Sequence, residues 1–257
     1  MLRIAIIVFT AFLFSAEYTI AQVLNVESFR SRTEPDTTVA WSGETAFDVS
    51  IRQANNRIFR LGNQTNASYF TGTDRYLFLT NVELINVDGS SVISNGHFHL
   101  RVSFRDQEKI SPELFAQLQY DENRGLKQRV LNGAGIRYTF LDREYIRGSF
   151  VTGLMFEYEK WGLGDDEEVE NNFLKSTSSL VVRGQLNPQT QLLVIGYYQA
   201  RPDKFFSPRV TSENQLNMRI SDRLTYRVNF TLTYDTDPVI DIPKLIYNLR
   251  NGIVISF

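Results

Sequence analysis

Between Leu224 and Asp235 the chain alternates without a break. Leu224, Tyr226, Val228, Phe230, Leu232 and Tyr234 fall on one side, and Thr225, Arg227, Asn229, Thr231, Thr233 and Asp235 on the other. A period of two is the mark of an extended strand with one apolar and one polar face. The pattern recurs in HFHLRVSFRD, where Phe98, Leu100, Val102 and Phe104 oppose His97, His99, Arg101, Ser103 and Arg105. It recurs again in RVLNGAGIRYTF, with Val130, Ala134, Ile136, Tyr138 and Phe140 on the apolar side. About twelve such runs can be counted, with ends good to a few residues. They cover 39–53, 57–71, 75–86, 96–106, 112–121, 128–141, 145–160, 173–186, 190–200, 210–220, 224–235 and 245–257. The chain is therefore expected to be all-β.

Alternation alone fits a secreted β-sandwich as well as a membrane barrel, since both bury one face of every strand. Three features favour the barrel. So many long strands in one meander are excessive for a sandwich. The links alternate in length: GTD (72–74), LDRE (141–144), NPQT (187–190) and SDR (221–223) are short. The stretches 86–96, 121–128, 161–172, 200–209 and 235–244 read as longer polar loops. QANN and DQEKISP depart from that rule. Short turns at one end and long loops at the other characterise a transmembrane barrel with its short side in the periplasm. Aromatics also gather near strand ends, at Trp41, Tyr69, Tyr76, Tyr120, Tyr138, Tyr158, Trp161, Tyr198, Tyr234 and Tyr247, where an interfacial girdle belongs. The expected architecture is a transmembrane antiparallel β-barrel of about twelve strands, with short periplasmic turns and longer extracellular loops.

The N-terminus supplies a route to that location. Arg3 precedes the apolar run Ile4–Phe14, and Thr19-Ile20-Ala21 offers a signal-peptidase site. The run is too short for a bilayer, which takes about 20 apolar residues. It is expected to be a cleaved signal peptide of residues 1–21, leaving Gln22 first. A polar segment over 22–38 then leads into the barrel at 39–257. Net charge is −2, from 27 basic and 29 acidic residues, which argues against nucleic acid as a partner. With no cysteine, disulfides, thiolate metal sites and a lipidated N-terminal Cys are ruled out.

The last run places Tyr247, Leu249, Ile253, Ile255 and Phe257 on one stripe that would face lipid. Arg250, Gly252, Ile255 and Phe257 resemble the C-terminal signal by which outer-membrane barrels are handed to their assembly machinery. Together with YDENRGLKQRVLNGAGIRYTF (120–140), this strand resembles the uncharacterised outer-membrane family typified by the salt-stress-induced outer-membrane protein. That resemblance implies an outer-membrane barrel and a stress-linked envelope role, and brings no catalytic residues.

The polar faces would line the lumen. Parity places Arg52, Arg60, Arg101, Arg105, Arg137, Arg147, Arg183, Arg219, Arg227 and Arg250 there, with Glu44, Asp48, Glu83, Glu157 and Glu159. Two outcomes are open. Ladders of Arg and carboxylate fill the interior as a plug, or a water-filled path lined by excess Arg passes small anions. Outer-membrane lipid and the assembly machinery are the other expected partners, and no cofactor is implied.

Catalytic and metal signals are thin. His97 and His99 stand on one face roughly 6.6 Å apart, and a symmetric hairpin would set Glu83 opposite His99, a cluster with the residue types of a Zn²⁺ site. A membrane-embedded lipid hydrolase or acyltransferase is the alternative function. It needs a Ser beside a His, yet Ser103 lies about 13 Å along the strand from His99. Asp165, Asp166, Glu167, Glu168 and Glu170 form an acidic run that would hold Ca²⁺ or Mg²⁺, or simply be solvated. Gly133-Ala134-Gly135 falls inside a strand, where glycine relieves crowding or permits a bend.

Overall fold

The computed structural model describes residues 40–164, 167–238 and 243–255. The proposed signal peptide, the 22–38 segment and Phe257 lie outside the described residues. A single antiparallel sheet of 12 strands runs in sequence order. The strands are β1 (Trp41–Gln53), β2 (Arg57–Phe70), β3 (Arg75–Val87), β4 (Ser90–Ser103), β5 (Ile110–Asp121) and β6 (Leu126–Arg143). They continue as β7 (Ile146–Gly164), β8 (Glu167–Asn187), β9 (Thr190–Ala200), β10 (Arg209–Ser221), β11 (Leu224–Asp235) and β12 (Leu245–Ile255). Only two short 3₁₀ turns, Glu122–Arg124 and Pro202–Lys204, interrupt the strands among the described residues.

The expected strands are present, and the alternation sets their faces. Register carries one face from Asp48 on β1 through Gly62, Glu83 and Asn95 to Asp121 on β5. That face is inside-out for a water-soluble protein. Its buried members are mostly polar, among them Arg129, Arg137, Glu113, Glu157, Glu159, Gln117 and Gln199. The opposite face presents Phe98, Leu100, Leu118, Ile136, Leu154 and Leu174 to the surroundings. Such a continuous apolar exterior is far larger than a soluble monomer exposes and calls for a hydrocarbon environment.

The sheet curls until distant strands meet. Arg209 Nη1 on β10 reaches Glu157 Oε1 on β7 at 3.2 Å, although two strands separate them in the sheet. Gln199 Nε2 on β9 donates to Met155 Sδ on β7 at 3.8 Å. The polar face is thus concave and encloses the lumen. Among the described residues no β12–β1 ladder forms, so these strands flank a seam, and β1 is exposed on both faces.

Both sheet termini lie at one end, as an even strand number requires. On the outward face of that terminal end Trp41 packs against Tyr69 in a tilted arrangement with centroids 4.5 Å apart, and Tyr69 meets Tyr76 at 6.1 Å. Tyr120, Tyr158, Tyr198, Tyr234 and Tyr247 occupy outward positions towards the opposite, loop end. Two girdles result, where aromatic rings favour the bilayer interfaces. Trp161 is the exception: it is buried on the inward face, and its Nε1 donates to Glu159 Oε2 at 3.1 Å.

Three of the expected long loops shrink, 121–128 to the four residues 122–125 and two others to strand. The 86–96 stretch turns tightly at Asp88 and Gly89, whose φ values of 52° and 87° suit a two-residue hairpin turn. Over 161–172, β7 runs to Gly164 and β8 starts at Glu167, giving strands of 19 and 21 residues. About 9–11 residues suffice to cross a bilayer, so this hairpin projects beyond it. The longest connections at the loop end are 201–208 and 236–244.

Candidate functional site in the lumen

The inner face divides into two unlike halves. From β3 to β10 it is packed, except at the terminal-end mouth, where Arg147 and Arg219 are exposed. Leu77, Leu79, Leu131, Met155 and Ile195 are buried inside it, and Val181, Leu193, Ile195 and Tyr197 form an apolar cluster. Hydrophobic side chains therefore occupy part of an interior expected to be lined by the polar strand faces.

Beside the buried Arg75–Asp106 pair at 2.7 Å, two larger ionic clusters complete that half. Towards the terminal end, Glu113 accepts from Arg101 Nη1 at 3.1 Å, Arg137 Nε at 2.6 Å and Ser103 Oγ at 3.1 Å. Arg137 also donates to Ser149 Oγ at 2.9 Å. Towards the loop end, Arg129 bonds Glu157 and reaches Glu159 Oε1 at 2.9 Å. Lys175 pairs with Glu157, and Arg209 Nε donates to Asp235 Oδ2 at 2.7 Å. Three cations thus meet three carboxylates, which is how buried charge is tolerated.

His99 sits between these groups. Gln117 Nε2 donates to Gln119 Oε1, which turns Gln117 Oε1 towards His99 Nδ1 at 3.0 Å. In the neutral tautomer that donates from Nδ1 to this oxygen, Nε2 is the acceptor. Both His99 Nε2 and Gln199 Oε1 lack a protein partner and line a cavity of about 50 Å³ with Phe115, Leu131 and Met155. That volume is enough for water.

The second half is open. On β1, Glu44, Asp48 and Arg52 are exposed, as are Arg60 on β2, Arg219 on β10, Arg227 on β11 and Arg250 on β12. Neutral neighbours hold some of these heads: Arg227 Nε donates to Asn217 Oδ1 at 2.9 Å, and Glu44 accepts from Asn66 at 3.1 Å. Arg147 and Arg183 stand opposite each other at the terminal-end mouth.

The family model described as "Protein of unknown function, DUF481" matches residues 46–257. The chain belongs to the DUF481 family. No curated protein matches it. Among solved structures it is similar to the NanC porin in a rhombohedral crystal form. Identity there is 9% and the TM-score 0.44, covering 82% of this chain and 100% of that one.

Several sequence expectations for this DUF481 chain need correction. Arg105 is not on a strand: β4 ends at Ser103, and Arg105 occupies a turn with φ of 52° beside Glu108, 3.5 Å away. Glu83 does not face His99. The tight Asp88–Gly89 turn sets Glu83 opposite Asn95 and His99 opposite Leu79. Glu83 instead pairs with Arg60 at 3.1 Å, and no metal-binding group of three His, Asp or Glu occurs among the described residues. Ser103 Oγ engages Glu113 rather than a histidine. In the acidic run, Glu168 is held by Lys127 at 2.8 Å and Lys160 at 2.5 Å, while Asp165 and Asp166 lie outside the described residues. Of the C-terminal signal, Arg250, Gly252 and Ile255 lie on β12 and Phe257 outside the described residues.

The sequence reading left Glu113, Arg129, Lys175 and Arg209 out of the inward charges, and placed Asp235 on the polar face without a partner. Glu113, Arg129 and Lys175 fall within the runs 112–121, 128–141 and 173–186 at inward parity, and Arg209 lies one residue before the run 210–220.

Proposed function

We propose that the chain is a non-enzymatic outer-membrane barrel that passes small anions along a narrow path beside the seam. The path follows the inner faces of β11, β12, β1 and β2. The observation that carries this reading is the split lumen: one half sealed by apolar side chains and neutralised charge, the other exposed and richer in Arg than in carboxylate. Rings of basic side chains favour anions. The terminal end would face the periplasm, following the rule for turns in such barrels.

The seam must close in a bilayer, because hydrocarbon satisfies no backbone hydrogen bond. Lipid contact and recognition of the last strand by the assembly machinery belong to the same reading. Deleting Phe257 should lower the amount of heat-modifiable protein in the outer membrane, and mass spectrometry of that protein should find Gln22 first. A salt-stress role, implied by the family resemblance, predicts higher abundance at raised osmolarity.

Planar-bilayer recording of the refolded protein tests the function. Stepwise conductance with an anion-selective reversal potential is expected, with selectivity reduced by Arg227→Ser and Arg250→Ser. A folded barrel that stays silent would replace the pore by a plugged structural envelope protein, a reading favoured by the Leu77, Leu79 and Ile195 packing. Phospholipid hydrolysis or acyl transfer in detergent, abolished by His99→Ala, would overturn both.

A further inference from the structure

The terminal-end mouth of the lumen contains a cavity of about 460 Å³, lined by Asp142, Arg143, Glu144, Arg147, Arg183 and Gln191 among others. Its floor is set by register. Arg147 lies opposite Arg183 across β7 and β8, and Asp142 lies opposite Arg147 across β6 and β7. Two residues beyond Arg183, Gln185 pairs with Gln191 across β8 and β9, also at the cavity wall. Arg147 Nε donates to Asp142 Oδ1 at 2.9 Å, while 55% of the Arg147 side chain stays exposed.

Three guanidinium groups share this mouth with two carboxylates, so it is net positive. Like charges directly opposite on one sheet face repel. An oxyanion between them converts that repulsion into charge-assisted hydrogen bonds. The planar guanidinium fork matches two oxygens at once, and the glutamine amides offer further uncharged donors. The space suits a small organic ligand as well as an inorganic ion.

We propose that Arg147 and Arg183, with Gln185 and Gln191, form a binding site for a small dianion bearing paired oxygens, a phosphate or a dicarboxylate. The site rests on the pore reading only for its role, which is to load anions at the mouth. Binding itself does not require conduction.

Isothermal titration of the refolded full chain in detergent micelles tests it, using sodium phosphate and sodium succinate against chloride at constant ionic strength. Saturable binding is expected. It should weaken at least tenfold in Arg147→Gln and in Arg183→Gln, weaken less in Arg183→Lys, which keeps charge but loses the fork, and persist in Arg223→Gln, a turn arginine outside the cavity. Phosphate binding alone would identify a phosphate ligand, and succinate binding alone a carboxylate. Heat-dependent gel mobility verifies that each variant is folded. Absence of saturable binding to either anion, or binding that survives both glutamine substitutions, overturns the site. A barrel that is silent in the bilayer but binds removes the pore and keeps the site. One that conducts without binding does the reverse.

Discussion

Glu113 is the inward carboxylate on which two arginines depend. Arg101 and Arg137 converge on it where its side chain is 2% exposed, so a neutral replacement strands two guanidinium groups. Glu113→Gln should destabilise the folded barrel by about 3–5 kcal/mol, since breaking a buried pair leaves uncompensated charge. Glu83→Gln should cost less than about 1 kcal/mol, because its Arg60 partner is half exposed and water screens the pair. Urea titration of refolding, followed by heat-dependent gel mobility, separates the two. Gly133 makes a steric argument of the same kind. Phe115 pairs with it across β5 and β6, and the ring fills the place a Cβ would take. Gly133→Val should cost about 1–3 kcal/mol through overpacking. Combined with Phe115→Ala, its cost should be smaller than the sum, which a double-mutant cycle measures.

At the scale of elements, the two long connections at the loop end are tied together. Lys204, in the 3₁₀ turn after β9, donates to Asp237 Oδ2 after β11 at 3.0 Å. This hydrogen bond, aided by the charge of Lys204, holds the Asp237 carboxyl below its ordinary value of 3.8. A depressed carboxylate contributes stability above its unfolded value and loses it as pH falls through the folded one. The tether is therefore intact at neutral pH and opens only below about 4, in the window that direction defines. Asp237→Asn should reproduce the acid state at pH 7, with faster tryptic cleavage after Lys204 as its readout. The β3–β4 turn makes a different point about elements. Asp-Gly between alternating runs is itself a hairpin signal, yet the polar residues around it resemble a loop. Backbone pairing, which a polarity pattern does not report, extends the strands through them.

For the whole molecule, the apolar exterior determines where the fold can exist. Leu154→Arg should reduce folding into lipid vesicles by about 2–4 kcal/mol if the position lies near the bilayer midplane, and by less towards an interface. A series of such substitutions along β7, at Phe150, Leu154 and Tyr158, would map depth by the size of the defect. The inward substitutions above should show no such dependence on lipid thickness. Strand number, strand faces and the outward stripe were legible in the sequence, because a period of two is a local property of the backbone. So were most inward charges, from Arg52 on β1 to Arg250 on β12. Their partners were not legible. The Glu113 group depends on cross-strand register, which the irregularities after Gln119 and Thr139 shift along the hairpins. The Glu157 group depends on curvature, which carries Arg209 of β10 across the lumen to β7. Alternation assigns a side chain to a face, but register and curvature decide which side chains meet. The tertiary structure alone therefore decided that many inward charges from β3 to β10 are buried in ion pairs, while those of β1 and β12 are exposed.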